Sequence, residues 1–533
     1  MKSILAVNAV LGVQILTSIS LFAVHASLYA AGSVDALIQD LKSSDTNVQS
    51  RAIVALASAG ARAVEPLLTA AANDPTVRPD QSSLYTQALG KIGVPAVEPL
   101  SAALKDRNAN KRRVAAIALG ETVNVGAVRP LLDAIADPDN LGGGCANQAV
   151  AALAKIGTPA IEPIAALLRA TPSIGSDQVR GLEARALGGM RNEQALDVLV
   201  SLFQGRDPDA GGQGLAEMGS MATDTLIHGL RNVDARIRVY AAQALRSVKD
   251  PRAIEPLIHA LRYDSWVPVR NAAALTLAMY KDTRSVEPLI SALKSTDLYL
   301  RDNVSSPFQD WEAAVEPLMD ALADDDENIR SGAACALGQM RNPPIDRLTT
   351  TLKNKNATLR QMSAMALGVA KKREVVDLLI AALKDDIAAV RAESARSLGK
   401  IGDQRALAPL AELVADSETN VRIAAAYGLG ETEGIRICEP LLGALRERRL
   451  EIVAGAYAYL IRRAEPASEA VLVAALDRFG TATMAEDFLN SGNDELAAGG
   501  KIWAREHGWL LAEFNSPTSK RMPGLLYPKW GSK

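Results

Sequence analysis

The chain has 533 residues, 48% hydrophobic but only 4% aromatic, and 58 basic residues against 61 acidic ones leave a formal charge of −3. So even a balance supplies no broad positive field for a phosphate backbone, and nucleic acid is excluded as an expected partner. Apolar content drawn mainly from Ala, Leu, Val and Ile suits closely packed helices.

At the N-terminus no charged residue stands between Lys2 and Asp35, and Ile4 to Val24 is largely apolar. Residues 1–31 therefore read as an export signal or an N-terminal membrane anchor. Ala26, Ala30 and Ala31 offer small residues for cleavage, yet the run is also long enough to span, so both outcomes stay open. Lys2 ahead of the run and Asp35 behind it leave the N-terminus in the cytoplasm. The expected location is exported, periplasmic or membrane-anchored, with the rest of the chain outside the cytoplasm and membrane contact only through residues 1–31 if they stay uncleaved.

A short phrase then recurs: AVEPL at Ala63 and Ala96, AVRPL at Ala127, AIEPI at Ala160, AIEPL at Ala253, SVEPL at Ser285, AVEPL at Ala314, ALAPL at Ala406 and ICEPL at Ile437. Its prolines set the period, with Pro66, Pro99, Pro130 and Pro163 spaced 33, 31 and 33 residues apart. A second phrase follows each, clearest in Ile329 to Gly338, Val390 to Gly402 and Val421 to Gly430. Two apolar patterns of helical period separated by polar turn residues make a helical hairpin. Repetition every thirty-odd residues predicts about fifteen such hairpins, each burying its faces against its neighbours. Units near Ala195, Ala222, Pro344 and Val375 lack the proline and count as degenerate members.

Aspartate and arginine recur six residues apart, in Asp106 with Arg112, Asp264 with Arg270, Asp324 with Arg330, Asp385 with Arg391 and Asp416 with Arg422. They read as structural ion pairs, the aspartate capping or bridging the turn and the arginine bracing the adjacent repeat.

The chemistry-bearing residues are sparse. His25, His228, His259 and His507 do not cluster, and no HExxH, CxxC, GxSxG or P-loop pattern is present. No catalytic residue, metal ligand or cofactor is assigned. Cys145, Cys335 and Cys438 lie three or more repeats apart, beyond the reach of a disulfide, and read as free thiols. The glycines at 142–144 and 211–214 read as turn or linker residues.

These phrases resemble HEAT repeats, of the short variety found in phycobilin lyases and many bacterial repeat proteins, over roughly residues 33–512. The resemblance implies an all-α, right-handed α-α superhelix, a HEAT-like solenoid whose second helices line the concave side. An outward position then falls five residues after the turn arginine, and toward the C-terminal end it carries Cys335, Met365, Arg396 and Tyr427, with Tyr457 at the equivalent place after Ile452. An arginine among soft and aromatic side chains is the composition of protein-binding hot spots, so a protein or peptide partner is expected there. Two enzyme groups share the repeat. Deoxyhypusine hydroxylases carry HisGlu pairs, whereas every histidine here precedes Ala or Gly. Phycobilin lyases handle a tetrapyrrole and its apoprotein, and that role is kept as the alternative to a non-catalytic scaffold or adaptor.

One unit breaks the pattern. After Ser285 the expected second phrase is replaced by Asn303 to Trp311, with Pro307 inside it, and Pro317 follows Pro288 by only 29 residues. A shortened helix should open a notch or bend. Tyr263, Trp266, Tyr280, Tyr299, Phe308 and Trp311 concentrate around it. These rings either fill the gap, or Trp266, Phe308 and Trp311 form an aromatic docking site. The expected organisation is an N-terminal array over 33–300, a break at 301–313, a C-terminal array over 314–483, a cap at 484–512 and an extended basic tail at 513–533.

Overall fold

The computed structural model describes residues 33–76, 83–141, 144–170, 177–295, 300, 304, 306–433, 438–512 and 525–528. Residues 1–31, Tyr299 and most of the C-terminal tail thus lie outside the described residues.

The fold is the all-α array anticipated. In many repeats a 3-10 turn feeds a first helix whose third residue is the repeat proline, as where Gly60–Ala63 leads into Val64–Asn73 and Pro251–Ala253 into Ile254–Tyr263. A first-turn amide has no intrahelical acceptor, so proline costs little there. A polar turn then caps the longer second helix: Asp45 accepts from the Asn47 amide, Asp234 from Arg236 and Asn356 from Thr358. The second helices pack on one another more extensively than on their own first helices, forming a continuous inner layer within each unit. Small residues permit this approach. A Cβ on Gly399 would stand 2.7 Å from the Gly428 Cα, and one on Gly120 would stand 2.7 Å from the Ala152 Cα. Leucines such as Leu119, Leu367 and Leu398 fill the space behind them.

Backbone packing divides the chain into two compact units, one ending at Tyr280 and the other beginning at Lys281. The first runs from the hairpin Val34–Asp40 with Thr46–Ala59 to that of Ile254–Tyr263 with Val267–Tyr280. In the second, regular hairpins run from Val315–Ala321 with Glu327–Gln339 to Leu407–Leu413 with Thr419–Glu433. Its inner layer continues through Leu450–Gly455 and Glu469–Phe479 to Asp494–Glu506. This division lies ahead of the irregular segment expected at 301–313. The reason is the broken unit, whose first helix Val286–Ala292 packs on Val315–Ala321 and Glu327–Gln339 of the following hairpin.

Where that unit's second helix is expected, Leu300 and Val304 are helical, and Ser306–Asp310 then forms a 3-10 turn packed on Glu327–Gln339. Phe308 is completely buried and Trp311 only 5% exposed, their rings stacked 5.9 Å apart. Phe308 and Trp311 are therefore sequestered within the packing of the second unit rather than presented to a partner. Trp266 remains 41% exposed, and Tyr280 donates its hydroxyl to the Leu245 carbonyl at 2.8 Å.

The spaced aspartates and arginines cap turns and brace neighbouring hairpins, and the charged pairing runs between hairpins rather than within each spaced pair. Arg391 donates from Nη1 to the backbone carbonyls of Asp385 and Asp386, while Nε and Nη2 each meet the Asp416 carboxylate of the next hairpin at 2.9 Å. Asp385 in turn accepts the Ile387 amide and receives Arg360 at 2.7 and 2.8 Å. Arg238 holds Asp264 in the same way at 2.6 and 3.0 Å. In all five sequence pairs, from Asp106 with Arg112 to Asp416 with Arg422, the arginine donates to the partner's backbone carbonyl. For Arg238, Arg360 and Arg391 the guanidinium points along the stack, so the carboxylate within its reach belongs to the next hairpin.

The C-terminal end carries the hairpin Ala482–Asn490 and Asp494–Glu506, with Asp487, Asn490 and Lys501 exposed. Beyond it, β1 (Trp509–Ala512) pairs antiparallel with β2 (Leu525–Pro528), Trp509 opposite Pro528 and Leu511 opposite Leu526. Part of the expected extended tail thus returns as a strand, because an extended backbone finds hydrogen-bond partners on the segment leaving the last helix.

Candidate partner-binding face

Four of the residues proposed from spacing lie on successive inner helices of the second unit, Cys335 on Glu327–Gln339, Met365 on Ala357–Ala370, Arg396 on Ala388–Ile401 and Tyr427 on Thr419–Glu433, and Tyr457 opens the helix Tyr457–Arg463, which packs on Thr419–Glu433. Each is half-buried and follows a buried residue, as Cys335 follows Ala334 and Tyr427 follows Ala426. Helical period explains Cys335, Met365, Arg396 and Tyr427, since the same offset from each turn arginine returns to the same side of a second helix, while Tyr457 follows Ile452 by that offset.

Polar partners fix these side chains. Arg396 donates from Nη1 to Glu393 Oε2 at 3.1 Å. Tyr457 donates its hydroxyl to Asp487 Oδ2 at 2.6 Å and meets the Phe488 ring edge-on at 6.2 Å. Burial and then the Asp487 hydrogen bond push the Tyr457 phenol well above its ordinary range. Burial followed by the Glu431 charge raises Tyr427, while Arg462 and Arg396 pull it back. Arg462 itself donates to Glu431 Oε1 at 2.8 Å. The face is therefore a row of neutral phenols, a thiol and a thioether beside compensated charges. It presents amphipathic contact area.

Glu393, Glu431, Arg462 and Asp487 were missed by sequence reasoning. The signal available was spacing, because Glu431 follows Tyr427 by one helical turn; their partners depend on which helices stack. Trp266, proposed as a docking residue, belongs to the first unit and has no place in this row. Among the described residues Cys145 and Cys438 are buried thiols, Cys335 is a half-buried one, and no group of three His, Cys, Asp or Glu could hold a metal ion. Burial pushes the Cys145 thiol up to about 11.

A second concavity of about 630 Å³ adjoins the irregular turn, lined by Asp310, Trp311, Glu316, Met340, Arg341 and Arg347 among others. Its charges are mutually engaged, Arg341 with Asp310 at 2.7 Å and Arg347 with Glu316 at 2.5 and 2.8 Å.

Comparison with known proteins agrees with the repeat. The family model for HEAT repeats matches residues 223–306 and 345–430. A phycobilisome maturation protein of Synechococcus elongatus is 30% identical over 103 residues, 18% of this chain and 50% of the relative, so the chain spans about half the length of that curated relative. Among solved structures, Kap121p aligns with 89% of this chain and 56% of its own at 13% identity and a TM-score of 0.38. The phycocyanin lyase complex of CpcE and CpcF from Nostoc aligns with 45% of this chain and 94% of its own at 22% identity and a TM-score of 0.23. Human deoxyhypusine hydroxylase aligns with 59% and 99% at 23% identity and a TM-score of 0.21.

Proposed function

Taking the chain as a HEAT-repeat protein of the short, phycobilin-lyase-like kind, we propose that it is a non-catalytic scaffold or adaptor. It holds a protein or peptide segment on the inner, concave face of its second unit, and works exported or tethered to a membrane. The observation that carries this reading is the row of half-buried Met365, Arg396 and Tyr427 on consecutive inner helices, with Tyr457 on the helix packed against the last of them. Tyrosine and arginine held by neighbours present large contact area with little conformational entropy left to lose, which is what binding hot spots require. Crosslinked capture from the envelope fraction, with N-terminal sequencing of the bait, tests partner and location together. Arg396→Ala combined with Tyr427→Ala should reduce capture at least about tenfold. Unchanged capture of every co-purifying protein by this double variant would sink the proposal.

A second reading is favoured by the 30% identity to a phycobilisome maturation protein. The chain would then handle a chromophore or modify a partner protein. Visible absorbance of the natively purified protein separates the two, since a scaffold for protein segments carries no band beyond the aromatic region.

A further inference from the structure

The first unit carries an apolar patch that the scaffold reading does not use. Val233, 98% exposed, tips the turn between Thr223–Gly229 and Ala235–Val248. On the next turn stand Tyr263, 69% exposed, and Trp266. One guanidinium ties the two turns together: Arg238 donates from Nη1 to the Val233 carbonyl at 3.2 Å and from Nε and Nη2 to the Asp264 carboxylate. Asp264 also accepts the Trp266 amide at 2.9 Å. Three apolar side chains therefore project from adjacent turns whose backbones are fixed.

The charges around them have a sign. Asp234 is engaged by Arg236 and Asp264 by Arg238. Arg231 and Arg262 are exposed on the same two turns, and neither forms a salt bridge among the described residues. The patch thus combines a tryptophan, a tyrosine and an aliphatic tip with uncompensated positive charge. A protruding tip of this composition fits a fluid surface with an anionic face better than it fits a concave partner.

We infer that the turns around Val233 and Trp266 form a shallow insertion edge that docks on an anionic lipid bilayer. This contact is separate from any made by residues 1–31, and it does not rest on the concave-face reading.

The test uses the full chain with phosphatidylcholine vesicles carrying brominated acyl chains, with and without phosphatidylserine, and reads tryptophan quenching. Wild-type protein should be quenched by the anionic vesicles, and Trp266→Phe should lose most of that quenching. Val233→Asp, at a site too exposed to affect folding, should lower the apparent vesicle affinity at least about fivefold, as should Arg231→Glu with Arg262→Glu. Equal quenching in Trp266→Phe, unchanged affinity in Val233→Asp, or shielding of Trp266 by a bound protein without lipid quenching would each overturn the inference. Partner capture by Val233→Asp should stay at the wild-type level, so failure here and failure of the scaffold reading are distinguishable.

Discussion

Glu183 lies buried on the inner helix Asp177–Met190, where desolvation pushes its carboxyl up to about 7 against a partial offset from Arg180. A carboxyl with a raised folded pKa binds more protons folded than unfolded, so its favourable contribution is complete below its unfolded value of 4.5 and is lost as the pH rises toward 7. Glu183→Gln should therefore raise Tm at pH 8 by about 2–4 °C, the shift of roughly 1 kcal/mol in a unit of this size, and leave it unaltered near pH 4.5. Melting curves across that range check the sign. The buried rings give a second test at this scale. Trp311→Ala opens a cavity beside Phe308 and should cost about 3–5 kcal/mol, whereas Trp266→Ala on the surface should stay within about 0.5 kcal/mol. Urea titration of both variants distinguishes them.

At the scale of the element, the arginine bridge between hairpins has a fixed grammar. One carboxylate oxygen of the aspartate caps its own turn, and the other receives Nε from the preceding hairpin, as in Asp385 and Asp416. The Arg391 guanidinium holds the Asp416 carboxyl below its ordinary range. At Asn354 the grammar fails. Its Oδ1 still caps the Asn356 amide, but an amide nitrogen stands where the second oxygen should be, and the buried Nε of Arg330 on the preceding hairpin has no hydrogen-bond partner. An amide nitrogen cannot accept from a guanidinium, so the Asn354 side chain has no second oxygen to offer such a donor. Asn354→Asp should restore the bridge and stabilise the second unit by about 1 kcal/mol, read as a rise in urea midpoint with unchanged slope. Arg391→Ala should do the opposite by about 2 kcal/mol, because it leaves the part-buried Asp416 without its cation.

For the whole molecule, a stack of hairpins needs a terminus that tolerates water. The helix Asp494–Glu506 packs on Glu469–Phe479, with Gly499 set close against Val473, and turns Lys501 and Glu506 outward. Truncation after Phe479 would expose the side of Glu469–Phe479 on which it packs. The shortened chain should melt at least about 5 °C lower and self-associate, as scanning calorimetry and light scattering would record.

Much of this fold was legible because repeats are governed by local rules. Pro66 and Pro256 mark a first turn, Asp234 and Asn356 mark a cap, and the small residues around Gly399 mark a close helix contact, all without reference to distant chain. The row from Cys335 to Tyr427 followed from the same period, which returns one side chain per repeat to one face. What that logic could not supply is the identity of the neighbour. Asp385 belongs to Arg360 and not to Arg391, since a guanidinium extends along the stack rather than back to its own turn. Phe308 and Trp311 are sequestered because the irregular turn Ser306–Asp310 packs on Glu327–Gln339. The division falls after Tyr280 because Val286–Ala292 found better packing ahead of it than behind. The sequence by itself determined the repeating element and its exposed side; the tertiary structure alone decided which elements meet, because contacts between hairpins depend on stacking register and volume, and neither is encoded within a single repeat.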